Sequence, residues 1–277
     1  MRAAWLLEDR SVFHHFFPVT AVRPSPVSIA ATVGLLATVG AILLSSPPGH
    51  SRPFAPGATR SLGDIRTETR PVTADFRGIS LNTSDDVVVR QGSPATISLS
   101  GPADELARTE TVVEKGRLII RKTGNSRTNW GKDQLDVVIT VTLPVIENLS
   151  VNSSGDLHTE GTITGADLAV ALAGSGDVRV RAELTGTCST NVAGSGDVRL
   201  SGRCATHTVR LTGSGDIRAA ELRAATVTVK LSGSGDISVA ADDTLDASIS
   251  GSGDVRYAGT PKQLVTRVTG SGSVAKL

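Results

Sequence analysis

From Leu168 onward the chain alternates apolar and polar residues, breaks at a Gly-Ser-Gly-Asp quartet, and alternates again. Leu168, Val170 and Leu172 precede one break; Cys188, Thr190 and Val192, then His207, Val209 and Leu211, then Val227, Val229 and Leu231 precede the next three. After the breaks come Val178 and Val180, Val198 and Leu200, Ile217 and Ala219, Ile237 and Val239. A period of two places one residue set on a single face of an extended strand, so each segment reads as a strand with one buried face. The quartet between two such strands is a corner.

These corners recur along the second half of the chain. Ser154-Gly155-Asp156 is the first, Asp177, Asp197, Asp216, Asp236 and Asp254 mark the next five, and Ser271-Gly272-Ser273 is the last, at successive spacings of 21, 20, 19, 20, 18 and 19 residues. A repeat near 20 residues is the mark of a solenoid. Two short strands cannot bury an apolar face alone. Stacking each turn on the one below pairs the strands in parallel at about 4.8 Å and closes a continuous core. The fold class expected is therefore all-β, a single-stranded parallel β-helix of right-handed sense. Val, Ile, Thr, Gly and Ser dominate the repeats, which disfavours a helical repeat.

Residues 59–144 lack the repeat. Strands are expected at 79–81, 87–90, 96–100, 117–121 and 135–143, with one short helix at 102–108 that begins at Pro102 and carries Asp104 and Glu105 in its first turn. Residues 124–132 read as a loop. No linker separates this part from the repeats at about 145–277, so 59–277 is expected to be one domain whose irregular first turns continue into the regular ones. Aromatic residues make up only 3% of the chain, as suits a narrow interior filled by Val, Leu, Ile and Ala.

The N-terminal part has a different pattern. A basic leader (1–26) precedes an uncharged apolar run (27–44), and a Pro, Gly and Ser-rich stretch (45–58) reads as a flexible linker. The apolar run is the core of a signal peptide or a membrane anchor. Basic residues before it favour export of the chain on its C-terminal side. The domain is thus expected in the periplasm, on the outer surface, or anchored to the inner membrane and facing outward.

The aspartates at the corners are candidates for chemistry. Stacked one turn apart, Asp156, Asp177, Asp197, Asp216, Asp236 and Asp254 bring like charges to about 5 Å, which suits calcium or a carboxylate pair of the glycosidase kind. The competing reading is structural: Asp and Ser at tight corners accept backbone N–H bonds, and Gly takes the left-handed conformation. Six equal copies fit a corner ladder better than a catalytic centre. A second cluster is Cys188, Cys204 and His207. His207 stacks on Cys188 in the repeat register, and Cys204 falls roughly 10 Å away at extended-chain spacing. Two small buried residues beside a tolerated histidine is the leading reading, with a disulfide or metal site as the alternatives.

Trp130, flanked by Arg127 and Lys132, is a candidate contact for a sugar or partner. There is no phosphate-binding loop, no nucleophile elbow and no plausible triad among the remaining histidines. A net charge of +1, with charges dispersed along the strands, leaves no footprint for nucleic acid. No cofactor is expected.

Phe76-Arg77-Gly78-Ile79, Asp86-Val87-Val88-Val89-Arg90-Gln91-Gly92, Gly116-Arg117-Leu118-Ile119-Ile120, the Leu143-Pro144 step and the Gly-Ser-Gly-Asp corners together resemble the putative autotransporter adhesin head GIN domain. The resemblance covers roughly residues 72–277 and implies a β-helical domain exported to the bacterial envelope. The function expected is a non-enzymatic binding module, of the adhesin kind, for an envelope protein or glycan, with membrane attachment through 27–44 if that run is retained. The alternatives are a structural spacer or assembly module, and a carbohydrate-active β-helix enzyme. Solenoid ends are unpaired edges, and no capping helix is evident near Leu277. The C-terminal edge is expected to be covered by a partner, by its own last residues, or by a second copy in a homo-oligomer.

Overall fold

The computed structural model describes residues 65–124 and 136–277. The expectations for 1–26, 27–44 and 45–58, and for Trp130, Arg127 and Lys132, lie outside the described residues. Strands in the repeats form where the period-two pattern runs: β11 (Leu168–Gly174), β12 (Val178–Leu184), β13 (Thr187–Gly194), β14 (Val198–Gly213), β15 (Ile217–Gly233) and β16 (Ile237–Gly251). They are followed by β17 (Val255–Ala258), β18 (Gln263–Gly270) and β19 (Val274–Lys276). All of these pair in parallel, turn on turn, in two ladders. The chain is a β-solenoid, as the alternation predicts.

The first ladder carries the strands before each Gly-Ser-Gly-Asp corner. Its inward rows follow the register Leu168–Cys188–His207–Val227–Leu245 and Leu172–Val192–Leu211–Leu231–Ile249. The second ladder carries the strands after the corner, with Val178, Val198, Ile217, Ile237 and Val255 stacked inward. Every one of these side chains is buried. Each Leu or Ile removed from water contributes on the order of 1.5–3 kcal/mol, so a turn gains its stability from the rows above and below it.

Corners are tight because the turns approach closely there. A Cβ on Gly235 would sit 1.9 Å from the Gly215 carbonyl oxygen of the preceding turn. At Gly213 the backbone has φ +131, and an added Cβ would meet the Gly194 carbonyl oxygen at 2.2 Å. Glycine is thus needed once for space and once for both space and conformation.

The N-terminal region departs from the expected sequential stacking. It comprises β1 (Ile65–Arg70), β2 (Gly78–Asn82), β3 (Asp86–Gln91), β4 (Thr96–Pro102), α1 (Ala103–Arg108), β5 (Thr109–Glu114), β6 (Arg117–Lys122), β7 (Val138–Leu143), β8 (Asn148–Val151), β9 (Leu157–Glu160) and β10 (Ile163–Gly165). The turn made by β2 and β3 lies between two later ones: β2 pairs in parallel with both β6 and β8, and β3 with both β7 and β9. The chain therefore leaves the stack after β3, returns beneath its own first turn, and only then climbs into the repeats. β5 covers the outer edge of β6 antiparallel, β4 covers β7 antiparallel, and β1 pairs with β4. α1 matches the predicted helix, while β1 and β5 carry no strong alternation of their own. They fold as strands because they satisfy edges that the solenoid leaves open.

Candidate functional site

The aspartate corners form a single hydrogen-bonded column. The Oδ1 of each aspartate accepts the backbone N–H of its counterpart in the next turn: Asp177 N–H to Asp156 at 2.9 Å, Asp197 to Asp177 at 3.3 Å, Asp216 to Asp197 at 3.1 Å, Asp236 to Asp216 at 3.0 Å and Asp254 to Asp236 at 3.0 Å. Ser273, which replaces Asp in the last copy, donates both its backbone N–H (2.9 Å) and its hydroxyl (2.8 Å) to Asp254 Oδ1. The column also starts one turn earlier than the repeat suggests, because Asp86 Oδ1 accepts the Asp156 N–H at 3.2 Å. The glycine is replaced there by Asp85, which hid the copy. The signal that remained was Asp86 followed by inward Val87 and Val89.

The second oxygen of these carboxylates faces outward to the arginines that lie two residues after Asp177, Asp216 and Asp254. Arg179 meets Asp177 at 2.8 Å and Asp156 at 3.8 Å, and Arg218 meets Asp197 at 2.8 Å and Asp216 at 3.0 Å. Arg256 lies 3.8 Å from Asp236 and 3.9 Å from Asp254. These arginines carry no mark in the sequence pattern, although an Asp-x-Arg spacing puts both side chains on the solvent side of the corner. The carboxylates thus have one oxygen engaged by the backbone and the other beside a guanidinium. Among the described residues no group of three or more His, Cys, Asp or Glu is placed to hold a metal ion.

Cys188 and His207 are in register, as the spacing predicts. Cys188 and Cys204 are free, buried thiols. Burial, then the neighbouring Cys204, pushes the Cys188 thiol up to about 12, and burial raises Cys204 to about 11. Thiols held protonated are poor nucleophiles and poor ligands. A backbone contact with Cys188 offsets part of that rise at Cys204. Gly202, at φ +116, bends the chain between the two ladders and brings Cys204 back inward. His207 is fully buried, with Nε2 3.0 Å from Thr190 Oγ1 and Nδ1 lacking a partner. Burial lowers its pKa from 6.5 to about 4. The imidazole is neutral and is packed in the core.

A second polar knot lies at the N-terminal cap. Lys122 Nζ is 3.1 Å from Asp85 Oδ1 and 2.8 Å from Glu105 Oε2, with both acids buried. Asp85 also accepts the Val137 N–H at 3.0 Å and the Thr83 hydroxyl at 2.9 Å. Burial, followed by the charges of Asp85 and Asp86, raises the nearby Asp136 carboxyl. This cluster has its own cation in Lys122, and it ties β3, α1 and β6 together.

The outer surface of the first ladder has a different chemistry. Asn191, Arg210, Lys230 and Ser248 stack in one outward row. They are flanked by Ser189, Thr208, Thr228 and, beside Ser248, Asp246 on one side, and by Ala193, Thr212, Ser232 and Ser250 on the other. Arg210 and Lys230 stand proud of this flat surface and, among the described residues, have no acidic partner of the kind that holds Arg179 or Arg218. An open hollow of about 520 Å³ lies between Val145–Glu147 and Gly165–Ala169, carries Glu147 and Asp167 on its wall, and shares Ser189 with this surface.

Comparison with solved structures places this architecture among known folds. A putative adhesin from Bacteroides fragilis is 24% identical, with 77% of this chain and 97% of that one covered at a TM-score of 0.71. A putative lipid binding protein from Parabacteroides distasonis is 24% identical over 78% of this chain and 97% of its own, at a TM-score of 0.60. A putative adhesin from Parabacteroides merdae is 18% identical over 78% and 98%, at 0.61. At these identities the likeness is one of fold. No curated protein matches the chain at a significant level. The family described as "Putative auto-transporter adhesin, head GIN domain" matches residues 75–261, which span the N-terminal turns and most of the repeats. The chain belongs to that family.

Proposed function

We propose that this protein is a non-enzymatic binding module of the bacterial cell envelope, an adhesin-type solenoid that holds a glycan or protein partner on the outer face of its first ladder. The observation that carries this reading is the row Asn191–Arg210–Lys230, stacked at strand spacing on a flat field of hydroxyl and methyl groups. An amide, a guanidinium and an ammonium about 4.8 Å apart form a line of hydrogen-bond donors suited to the carboxylate and hydroxyl groups of an acidic sugar chain. The adhesin description of the family and of two structural neighbours supports the same class. Catalysis by the aspartates is disfavoured, because each ladder carboxylate is committed to a corner bond and no distinctive acid pair stands apart from the repeat. The uncharged run 27–44 with basic residues before it supports export, and attachment to the inner membrane where that run is retained.

The test is binding of the purified chain to an array of neutral and acidic glycans and to envelope fractions. Binding to acidic glycans that falls at least tenfold in an Arg210→Ala, Lys230→Ala variant, with an unchanged melting temperature, is the expected result. Binding that survives the double substitution, or an array with no acidic glycan bound, rejects this face as the site.

A further inference from the structure

We propose that the outer face of the second ladder carries an anion site centred on Arg199 and flanked by Arg179 and Arg218, which takes the sulfate or phosphate monoester of a sugar. It lies on a different ladder from Asn191–Arg210–Lys230 and does not depend on that row.

The corner arginines do not share one arrangement. In register, the outward row after the corners runs His158–Arg179–Arg199–Arg218–Ser238–Arg256. Three arginines therefore stand directly opposite one another on three successive strands, about 4.8 Å apart, and like charges so placed are destabilising until they are neutralised. Arg179 is held by Asp177 at 2.8 Å, and Arg218 by Asp197 at 2.8 Å and Asp216 at 3.0 Å. Arg199 has the same offset from Asp197 that Arg179 has from Asp177, yet Arg218 of the next turn takes that carboxylate. Among the described residues Arg199 is left exposed and without an acidic partner.

Around Arg199 is a notch of about 20 Å³ lined by Asp177, Val178, Arg179, Asp197, Arg199 and Arg218. That is room for one oxygen atom of a ligand. Both carboxylates in the notch are already engaged: Oδ1 of Asp177 and of Asp197 accepts the N–H of the next turn, at 3.3 Å and 3.1 Å, and Oδ2 meets an arginine. The donors of Arg199 remain free between two guanidinium groups fixed in place. Arg181, two residues after Arg179 on the same exposed face and also without an acidic partner among the described residues, adds a further cation. A planar carboxylate engages one guanidinium fork side-on, whereas a sulfate or phosphate monoester has three terminal oxygens and can meet an arginine from each of three turns. The neighbouring outward positions are polar: Ser201 follows Arg199, with Glu221 opposite Ser201 and Glu183 opposite Arg203. These offer acceptors to sugar hydroxyls and give an acyl chain no seat.

The test is a titration of the full-length protein followed by the arginine Nε–Hε signals in nuclear magnetic resonance spectra, with Arg199 assigned by the signal lost in Arg199→Gln. Glucose 6-sulfate and glucose 6-phosphate should shift the Arg199 signal saturably, and glucuronate should bind several-fold more weakly. Arg199→Gln, read at the Arg218 signal, should weaken binding about tenfold at an unchanged melting temperature. The first-ladder variant Arg210→Ala, Lys230→Ala should leave binding as it was. Equal shifts at Arg199 and Arg210 mean general ionic attraction and overturn the proposal. So does glucuronate bound as tightly as the sulfate ester, or inorganic sulfate bound where the sugar esters are not. Affinity that survives Arg199→Gln, or that falls in the first-ladder variant, overturns it as well.

Discussion

At His207 the inward row of the first ladder carries an imidazole between Cys188 and Val227. A buried neutral histidine makes stability depend on pH in a definite direction. Its folded pKa of about 4 lies below the unfolded value of 6.5. As pH falls through that window the unfolded chain binds a proton that the folded chain refuses, so stability present at neutral pH is lost. The difference corresponds to about 3 kcal/mol. Urea midpoints measured between pH 7 and pH 4 should therefore fall more steeply for the natural protein than for His207→Val, which matches the neighbouring Val227. Parallel pH profiles would show that the histidine is not a buried neutral group. The cysteines were legible as small buried residues, and their register with His207 follows from spacing alone. The inward turn of Cys204 was not, because it depends on how Gly202, at φ +116, bends the chain between ladders.

At the scale of elements, the corner column joins one turn to the next through side chain and backbone at once. Asp216 shows how its parts separate. Oδ1 takes the Asp236 N–H, while Oδ2 sits 3.0 Å from Arg218. Asp216→Asn keeps an oxygen for the N–H and loses only an exposed ion pair, which costs about 0–1 kcal/mol. Asp216→Ala leaves a partly buried N–H without an acceptor and should cost about 1–2 kcal/mol. Chemical denaturation of the two variants separates these contributions, and an equal loss in both would assign the corner to the charge pair. Most corners were legible because Gly-Ser-Gly-Asp recurs with little variation. Asp86 was hidden by the substitution of Asp85 for glycine, and Arg179, Arg218 and Arg256 by their ordinary appearance as outward polar residues.

For the molecule as a whole, the N-terminal cap is the part that lacks a repeating logic. Lys122 on β6 reaches Asp85, just before β3, and Glu105 on α1, and so fastens the turn that has come back beneath the first one. Lys122→Met would leave Asp85, 1% exposed, without its counter-charge, at a cost of about 3 kcal/mol or more. The expected outcome is a large drop in the urea midpoint that is partly recovered by adding Asp85→Asn. No recovery would mean that Lys122 contributes through packing alone.

Period-two alternation and a 20-residue repeat are local patterns with one economical way to be buried, so the solenoid, its two strands per turn, the inward rows and the corners are all legible in the amino-acid order. The order of the first turns, and the strands β1 and β5 that pair onto them, emerge only in the folded chain. Those depend on which distant strand satisfies a free edge. That pairing is set by backbone hydrogen bonds, which leave no periodic mark on the side chains.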